Sequence, residues 1–221
     1  MPDKAYKGLG MEGLTAKWYA SLTHKSLHEF RALAGRIADQ LPAGSRVLEI
    51  APGPGYFAIE LAKLGSYRIS GIDISHTFVT IARRNAAQAG VEVDFHHGDA
   101  AAMPFEDQSF DFLLCRAAFK NFSQPVRALQ EMYRVLKPNG RALIIDLRKD
   151  ASKASVSKAV EAMHLGPVNT LTTKLTFRFM LLKRAYTRQD FEQFLSQTQF
   201  GPNDIKEDLI GLELTLRRAS A

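Results

Sequence analysis

The 221-residue chain holds a single cysteine, Cys115, which excludes an internal disulfide and argues against a cysteine-based metal cluster. No apolar run approaches the ~18 residues that a membrane span requires. The opening residues, MPDKAYKGLGMEGL, lack the apolar core of a signal peptide, so a cytoplasmic location is expected. There is no internal repeat, low-complexity tract or long flexible linker, which removes repeat architectures and disordered scaffolds. What remains is ordinary for a soluble globular protein: 46% hydrophobic and 24% charged residues, enough chain for one domain with elaborations and a full core.

Excess charge is also missing from most of the chain. The formal net charge is +6, yet between Ala151 and Arg188 seven cations (Lys153, Lys158, Lys174, Arg178, Lys183, Arg184, Arg188) face one acid, Glu161. The remaining residues balance, and the surplus belongs to one segment.

The most informative stretch present is Arg46 to Ala58, RVLEIAPGPGYFA. Val47 to Ile50 reads as a short buried strand, and Ile59, Leu61, Ala62 and Leu64 give helical spacing after it. The turn between them carries Gly53 and Gly55, whose missing side chains let a ligand approach bare backbone at a helix start rich in unpaired N–H groups. Gly53-Pro54-Gly55-Tyr56-Phe57-Ala58 fits the dinucleotide fingerprint G-x-G-x-x-G/A. Glu49, however, would repel a pyrophosphate and attract an ammonium or sulfonium group. S-adenosylmethionine carries both cations.

A second strand, Tyr67 to Asp73, ends in a carboxylate able to accept both ribose hydroxyls. A third, Val91 to His96, leads through Gly98 to Asp99, placed to take an adenine amino group. Three acids just past successive strands would line the carboxyl edge of a parallel sheet, where open α/β sheets bind ligands. The alternation predicts strands at 46–50, 67–73, 91–96, 110–115 and 140–147, with helices at 55–64, 76–89 and 124–136. Thr187-Arg188-Gln189-Asp190 opens a further helix with Phe191, Phe194 and Leu195 as its apolar face. Ile205–Asp208 and Leu212–Leu216 close the chain as two strands. The expected fold is α/β: a Rossmann-like, doubly wound, mostly parallel seven-stranded sheet with a C-terminal antiparallel hairpin.

Within one domain, 1–221, the pattern separates a helical cap at 1–42, a cofactor-binding core at 43–150, a basic cap insertion at 151–186, and a closing helix and hairpin at 187–221. In the first segment Leu14, Trp18, Leu22, Leu27, Phe30, Leu33 and Ile37 recur at helical spacing. Both caps are expected over the carboxyl edge. Leu171 to Arg188 interleaves apolar and basic residues, which suits a solvated helix face, a lid for an acidic acceptor, or a lipid-facing or nucleic-acid-facing surface.

Residues 46–148 resemble a class I S-adenosylmethionine-dependent methyltransferase of the type 11 kind. The resemblance is carried by Glu49 with APGPG, Asp73, Gly98-Asp99-Ala100, Met103-Pro104-Phe105 with Ser109-Phe110-Asp111, and Arg134-Val135-Leu136-Lys137-Pro138-Asn139-Gly140. It implies that Glu49, Gly53 and Gly55, with Ala51 and Tyr56 of the same turn, hold the methionine end of S-adenosylmethionine. It likewise implies that Asp73 and Ile74 hold the ribose side, that Asp99 and the Ala100 backbone meet the adenine, and that the Cys115 carbonyl faces the methionine end. S-adenosylhomocysteine would be the product. Ala51 departs from the family's glycine, and Pro52 and Pro54 restrict the turn further, which predicts a stiffer loop.

Methyl transfer needs alignment of the reactants and, for a protonated nucleophile, a base. Acceptor-side candidates are His24, His28, Arg116, Lys120, Asn121, Arg148, His164 and Tyr186, none within a specific motif; Asn121 is also a helix-cap candidate. His24 and His28 are spaced to share a helical face, and His96-His97 are expected to shape the adenine loop and not to bind a metal. Cys115-Arg116-Ala117-Ala118 stands where the family's nucleobase amino-methylases carry Asn/Asp-Pro-Pro-Tyr/Phe, which argues against methylation of a flipped base and leaves other RNA methylation open. Phe119-Lys120-Asn121-Phe122 is similar to the small-molecule branch that includes quinone-pathway C-methyltransferases. The expected acceptor is therefore a small organic molecule, hydrophobic or acidic, with peripheral membrane contact open and the oligomeric state unread. The rivals are a nicotinamide dehydrogenase and a non-catalytic protein that binds a partner through the basic segment.

Overall fold

In the computed structural model the described residues are 6–7, 10–162, 167–177, 181–201 and 204–220. Seven strands form one sheet: β1 Arg46–Ile50, β2 Arg68–Asp73, β3 Asp94–His97, β4 Phe110–Arg116, β5 Leu136–Leu147, β6 Asp204–Glu207 and β7 Gly211–Arg217. Their order across it is β3-β2-β1-β4-β5-β7-β6. β1 to β5 pair in parallel, and only β7 runs against its neighbours, clamped between β5 and β6.

Side-chain alternation assigns the two faces. Val47, Phe112 and Leu114 point into the layer built by α2 (Leu27–Ala38), α3 (Tyr56–Ala62) and α4 (His76–Ala89), where Leu33, Ile37, Phe57, Leu61 and Val79 meet them. Leu48, Ile50, Leu113 and Cys115 point the other way, onto α5 (Pro125–Val135) and α9 (Arg188–Leu195), against Leu129, Met132, Phe191 and Leu195. Cys115 is fully buried near the end of β4.

Most predicted elements appear, and their differences have local causes. α3 begins at Tyr56 because Gly55, at φ +78°, is its left-handed N-cap. β3 starts only at Asp94, since the Val91 N–H is taken by the Ala86 carbonyl as α4 closes. β5 reaches back to Leu136, where Asn139, at φ +62°, and Gly140 bulge the strand between its pairings to Phe110 and Phe112. α9 opens with a capping box in which Thr187 and Asp190 exchange hydrogen bonds.

The N-terminal segment is helical. It forms two helices, α1 (Gly13–His24) and α2, and α1 buries Ala16 and Ala20 while Leu14, Trp18 and Leu22 face outward. Small side chains let α1 lie close on Phe78 and Ile81 of α4, so the large residues are left on the far side. The helix break at Lys25–Ser26 also separates His24 from His28, which therefore share no helical face.

The segment 151–186 supplies α6 (Lys153–Glu161), α7 (Pro167–Thr176) and the single turn α8 (Leu182–Arg184). Val156, Val160 and Leu182 form a small satellite core with Leu147 and Phe177. His164 and Arg178 lie outside the described residues.

Leu214 on β7 is fully buried against Ile144 of β5 and Ile205 of β6. Leu214→Ala should lower unfolding free energy by about 2 to 5 kcal/mol in denaturant titration. A loss under roughly 1 kcal/mol would mean that the hairpin contributes little to the core.

Candidate functional site

The parallel strands β1, β2 and β4 end at one edge, and the loops that follow them are built around strand-end carboxylates. Glu49, 3% exposed on β1, accepts a hydrogen bond from the Ala58 N–H at 3.1 Å, satisfying a free donor in the first turn of α3. Asp73, 5% exposed, bridges two loops: it accepts from the Gly53 N–H and from the Ser75 N–H, each at 2.9 Å. Asp99 closes its own turn through the Ala101 N–H at 2.9 Å.

The turn after β1 alternates left-handed residues with prolines. Ala51, Gly53 and Gly55 have φ of +56°, +55° and +78°, with Pro52 and Pro54 between them. The expectation of a stiff turn fits, but Ala51 does adopt the left-handed conformation that its Cβ disfavours. The two glycines serve different needs. A Cβ on Gly55 would come within 2.7 Å of Phe95 Cζ, so its absence lets α3 pack on the sheet, whereas nothing lies within 4 Å of the corresponding point at Gly53. Gly53 leaves open space beside the Asp73 carboxylate.

Burial sets the protonation of these acids. Desolvation pushes Glu49 up to about 8 against the help of the Ala58 N–H and the Arg116 charge, and it raises Asp73 to about 6 although Ser75 and Gly53 donate to it. Neither carboxylate forms an ion pair among the described residues. A ligand cation would supply the missing partner. Ile74, next to Asp73, is 38% exposed and offers an apolar surface at the same place.

Asp146 at the end of β5 takes the opposite course, and the sequence reading missed it. It is 5% exposed and holds an internal counter-ion, Lys120 Nζ at 2.8 Å, while accepting from the Lys120 and Leu147 N–H groups at 2.9 and 2.7 Å. Its signal was available: a carboxylate closing an apolar run, as in β1 and β2. Lys120 Nζ also donates to the Ala117 carbonyl, and Ala117 sits at φ +57°. The cation thus ties down the strained loop after β4.

The other named residues divide by what they touch. Tyr56 points its hydroxyl to the Ala20 carbonyl at 2.9 Å and packs on Phe30 and His24, so it fastens the N-terminal cap and does not turn its side chain to the loop. His24 is exposed at the end of α1. Arg116 donates to Glu29 at 2.8 Å and lies 4.5 Å over Phe30. The Asn121 carbonyl accepts from the Lys7 N–H at 2.7 Å; α5 is N-capped at Gln124 without a side-chain bond, so Asn121 is not its cap. Tyr186 packs on Phe119, Phe191 and Phe194, hydrogen-bonds Lys7 Nζ, and is pushed up to about 12 by burial and by Asp190. Arg148 pairs with Asp150 and Glu207. His97 stacks on His76 at 3.5 Å and hydrogen-bonds the Ile74 carbonyl, while His96 bonds Asp94; no metal-binding cluster occurs among the described residues.

Tyr6, Tyr19 and Glu12 were also missed, because they lie outside the strand–loop pattern. Burial raises both tyrosines, and the charges of Asp73 and Asp146 reach each of them. Glu12 receives N–H bonds from His76 and Thr77 at 2.9 and 3.1 Å and raises Asp73 further. The N-terminal cap therefore lies over the carboxyl edge. A groove of about 500 Å³ lined by Tyr133, Arg134, Gln197 and Arg218 is elsewhere, and its arginines are already engaged by Glu131, Asp107 and backbone carbonyls.

Because the folded-state value of Glu49 exceeds its unfolded one, the native state holds the extra proton between about pH 4.5 and 8, and stability declines as pH rises through that window. The slope from this group is at most about 1.4 kcal/mol per pH unit. Glu49→Gln should flatten the decline in thermal or denaturant unfolding; an unaltered profile would mean that Glu49 ionises normally. Separately, Ala51→Gly should raise stability by roughly 0.5 to 1 kcal/mol by relieving the left-handed alanine. Unchanged or lower stability would show that the turn carries no such strain.

Residues 48–144 match the model of a family described as a methyltransferase domain. A demethylmenaquinone methyltransferase of Deinococcus radiodurans is 38% identical over 108 residues, 48% of this chain and 45% of that protein. An uncharacterized methyltransferase of Bacillus subtilis, YcgJ, is 40% identical over 105 residues, 47% of this chain and 41% of the other. The matched stretch thus spans about half the length of these curated relatives. Among solved structures, one from Methanococcus maripaludis, provisionally titled an S-adenosyl-L-methionine-dependent methyltransferase, superimposes with a TM-score of 0.76 at 18% identity, covering 100% of this chain and 98% of that one.

Proposed function

With a methyltransferase domain at residues 48–144, we propose that the chain is an S-adenosylmethionine-dependent methyltransferase that acts on a small, largely apolar ring compound. The observation that carries this reading is the burial of two carboxylates, Glu49 and Asp73, without a cation beside them, at the rim where a Gly53 turn leaves open space. A dinucleotide would bring a pyrophosphate, which offers these buried carboxyl groups no cation, so the dehydrogenase reading is disfavoured.

The residues fit the cofactor. Glu49 and the turn at Ala51, Gly53 and Gly55 would take the methionine end, Asp73 and Ile74 the ribose side, and Asp99 with Ala100 the adenine; Cys115 bounds the site from within β4. S-adenosylmethionine supplies the activated methyl group. The chain supplies alignment, which alone can lower a barrier by ~7 to 11 kcal/mol, so a strong base is dispensable.

For the acceptor side, the support comes from the cap. Tyr6, Tyr19 and Tyr186 gather near the ends of β4 and β5 with Phe119 and Phe122, and Lys7, Arg116 and Arg184 lie near them. Aromatic walls with phenol and ammonium donors suit a ring that carries oxygen. The relative named for demethylmenaquinone favours a quinol-type ring methylated at carbon, with acceptor contacts drawn from 1–42 and 151–186. Arg116 and Tyr186 are the named residues best placed to touch it; Lys120 and Asn121 position the loop beneath, and His24 lies further out. No helix among the described residues is long and apolar enough to cross a membrane, and the single buried thiol suits the cytoplasm.

Calorimetric titration tests this directly: S-adenosylmethionine and S-adenosylhomocysteine should bind and NAD should not. Asp73→Asn should weaken S-adenosylhomocysteine by about 10- to 100-fold, equivalent to about 1.5 to 3 kcal/mol. Equal affinity in the variant would place the ribose elsewhere, and no binding of either sulfur compound would remove the proposal.

A further inference from the structure

Among the described residues, the outer face of α1 carries the most exposed large apolar side chains, and the site does not absorb them. Leu14, Trp18 and Leu22, spaced i, i+4 and i+8, are 83%, 64% and 47% exposed and form a continuous stripe on one side of the helix. Scattered exposed leucines are ordinary; a stripe centred on the chain's only tryptophan is not. The same helix turns Ala16 and Ala20 into the protein, and Tyr19 reaches the field of Asp73, Asp146 and Arg116. One helix thus separates the candidate acceptor site from the outside.

The charges that the helix itself carries have one sign. From Gly13 to His28 there is no acidic residue, and Lys17 and Lys25 are exposed beside the apolar positions, with no ion pair among the described residues. Apolar side chains with an amphipathic indole, flanked by long cationic stems, match the boundary between lipid headgroups and acyl chains. The flanking acids are engaged elsewhere, Glu12 by the His76 and Thr77 N–H groups and Glu29 by Arg116, so the charges that remain beside the stripe are the cations Lys17 and Lys25, which suit lipid phosphates.

We propose that α1 is a membrane-docking helix, which inserts Leu14, Trp18 and Leu22 into the interface of an anionic bilayer while Lys17 and Lys25 meet lipid phosphates. Docked this way, the helix places the Tyr19 side of the carboxyl edge next to the lipid, from which an apolar acceptor could enter. The route of entry rests on the function proposed above; the lipid contact does not.

Trp18 reports on the contact without added label. Its emission is to be followed as purified full-length protein is titrated with vesicles of phosphatidylcholine alone and of equal parts phosphatidylcholine and phosphatidylglycerol, with co-sedimentation in parallel. The expected result is a blue shift and co-sedimentation with the anionic vesicles, weakened by salt. Leu14→Ser/Leu22→Ser, which keeps the reporter, should lower vesicle affinity at least tenfold, and Lys17→Glu/Lys25→Glu should remove the preference for phosphatidylglycerol. Both variants should retain the wild-type melting temperature and S-adenosylhomocysteine affinity, since these side chains touch neither core nor site. Three outcomes overturn the proposal: no shift of the wild-type emission with either vesicle, a shift undiminished in the serine variant, or concentration-dependent self-association that the serine variant abolishes while vesicles go unbound. The last would assign the stripe to a second copy. Loss of vesicle binding alone leaves cofactor titration intact, so failure here is distinguishable from failure of the methyltransferase reading.

Discussion

Carboxylates withdrawn from water at the ends of the strands, and held there by backbone N–H groups of the following loops, organise this molecule. Glu49 caps α3 through Ala58, Asp73 ties Gly53 to Ser75, and Asp146 collects Lys120 and Leu147. Each bond joins a rigid strand to an otherwise unsupported loop. Burying an acid is costly, and the chain settles that cost in two ways. Asp146 is given an internal ammonium, Lys120, and becomes part of the frame. Glu49 and Asp73 are left without an ion-pair partner among the described residues, and desolvation raises their proton affinities. The contrast within one edge separates the structural acid from those available to a ligand.

Strain gathers at the same edge. Ala51 and Ala117, which follow β1 and β4, both occupy left-handed conformations although glycine would adopt them more easily. Each is over-determined by its surroundings: Ala51 donates to the Ile72 carbonyl at 2.8 Å, and Ala117 donates to Ile145 at 2.7 Å while its own carbonyl accepts from Lys120. The two loops that would flank a bound cofactor are thus fixed by hydrogen bonds that cross strands, which suits a site that relies on alignment.

Much of this was legible in the sequence because strand–turn–helix punctuation is local. The run to Glu49 and its glycine turn, the run to Asp73 and the Thr187–Asp190 start of α9 all follow from neighbouring residues, and the family resemblance ordered them. What failed depended on distance in space. Asp146 closes an apolar run as Asp73 does, so its place was legible, but its pairing with Lys120, which lies on another loop, was not. Tyr6 and Tyr19 reach the site only through the docking of the N-terminal segment. In α1 the periodicity identified an apolar stripe but not the face it occupies, because the close approach of Ala16 and Ala20 to α4 decides which face is buried. Periodicity measures amphipathicity and cannot register how near two helices come.

The central claim is that burial, by raising the proton affinity of Glu49, couples its ionisation to the arrival of the positive charge of S-adenosylmethionine. Proton exchange on binding reports on this coupling most directly. Calorimetric titration of S-adenosylmethionine near pH 7, repeated in buffers of different ionisation enthalpy, should reveal net release of up to one proton per site, and Glu49→Gln should abolish that release. Binding with no proton exchanged, or with release unchanged in the Gln variant, would contradict the account.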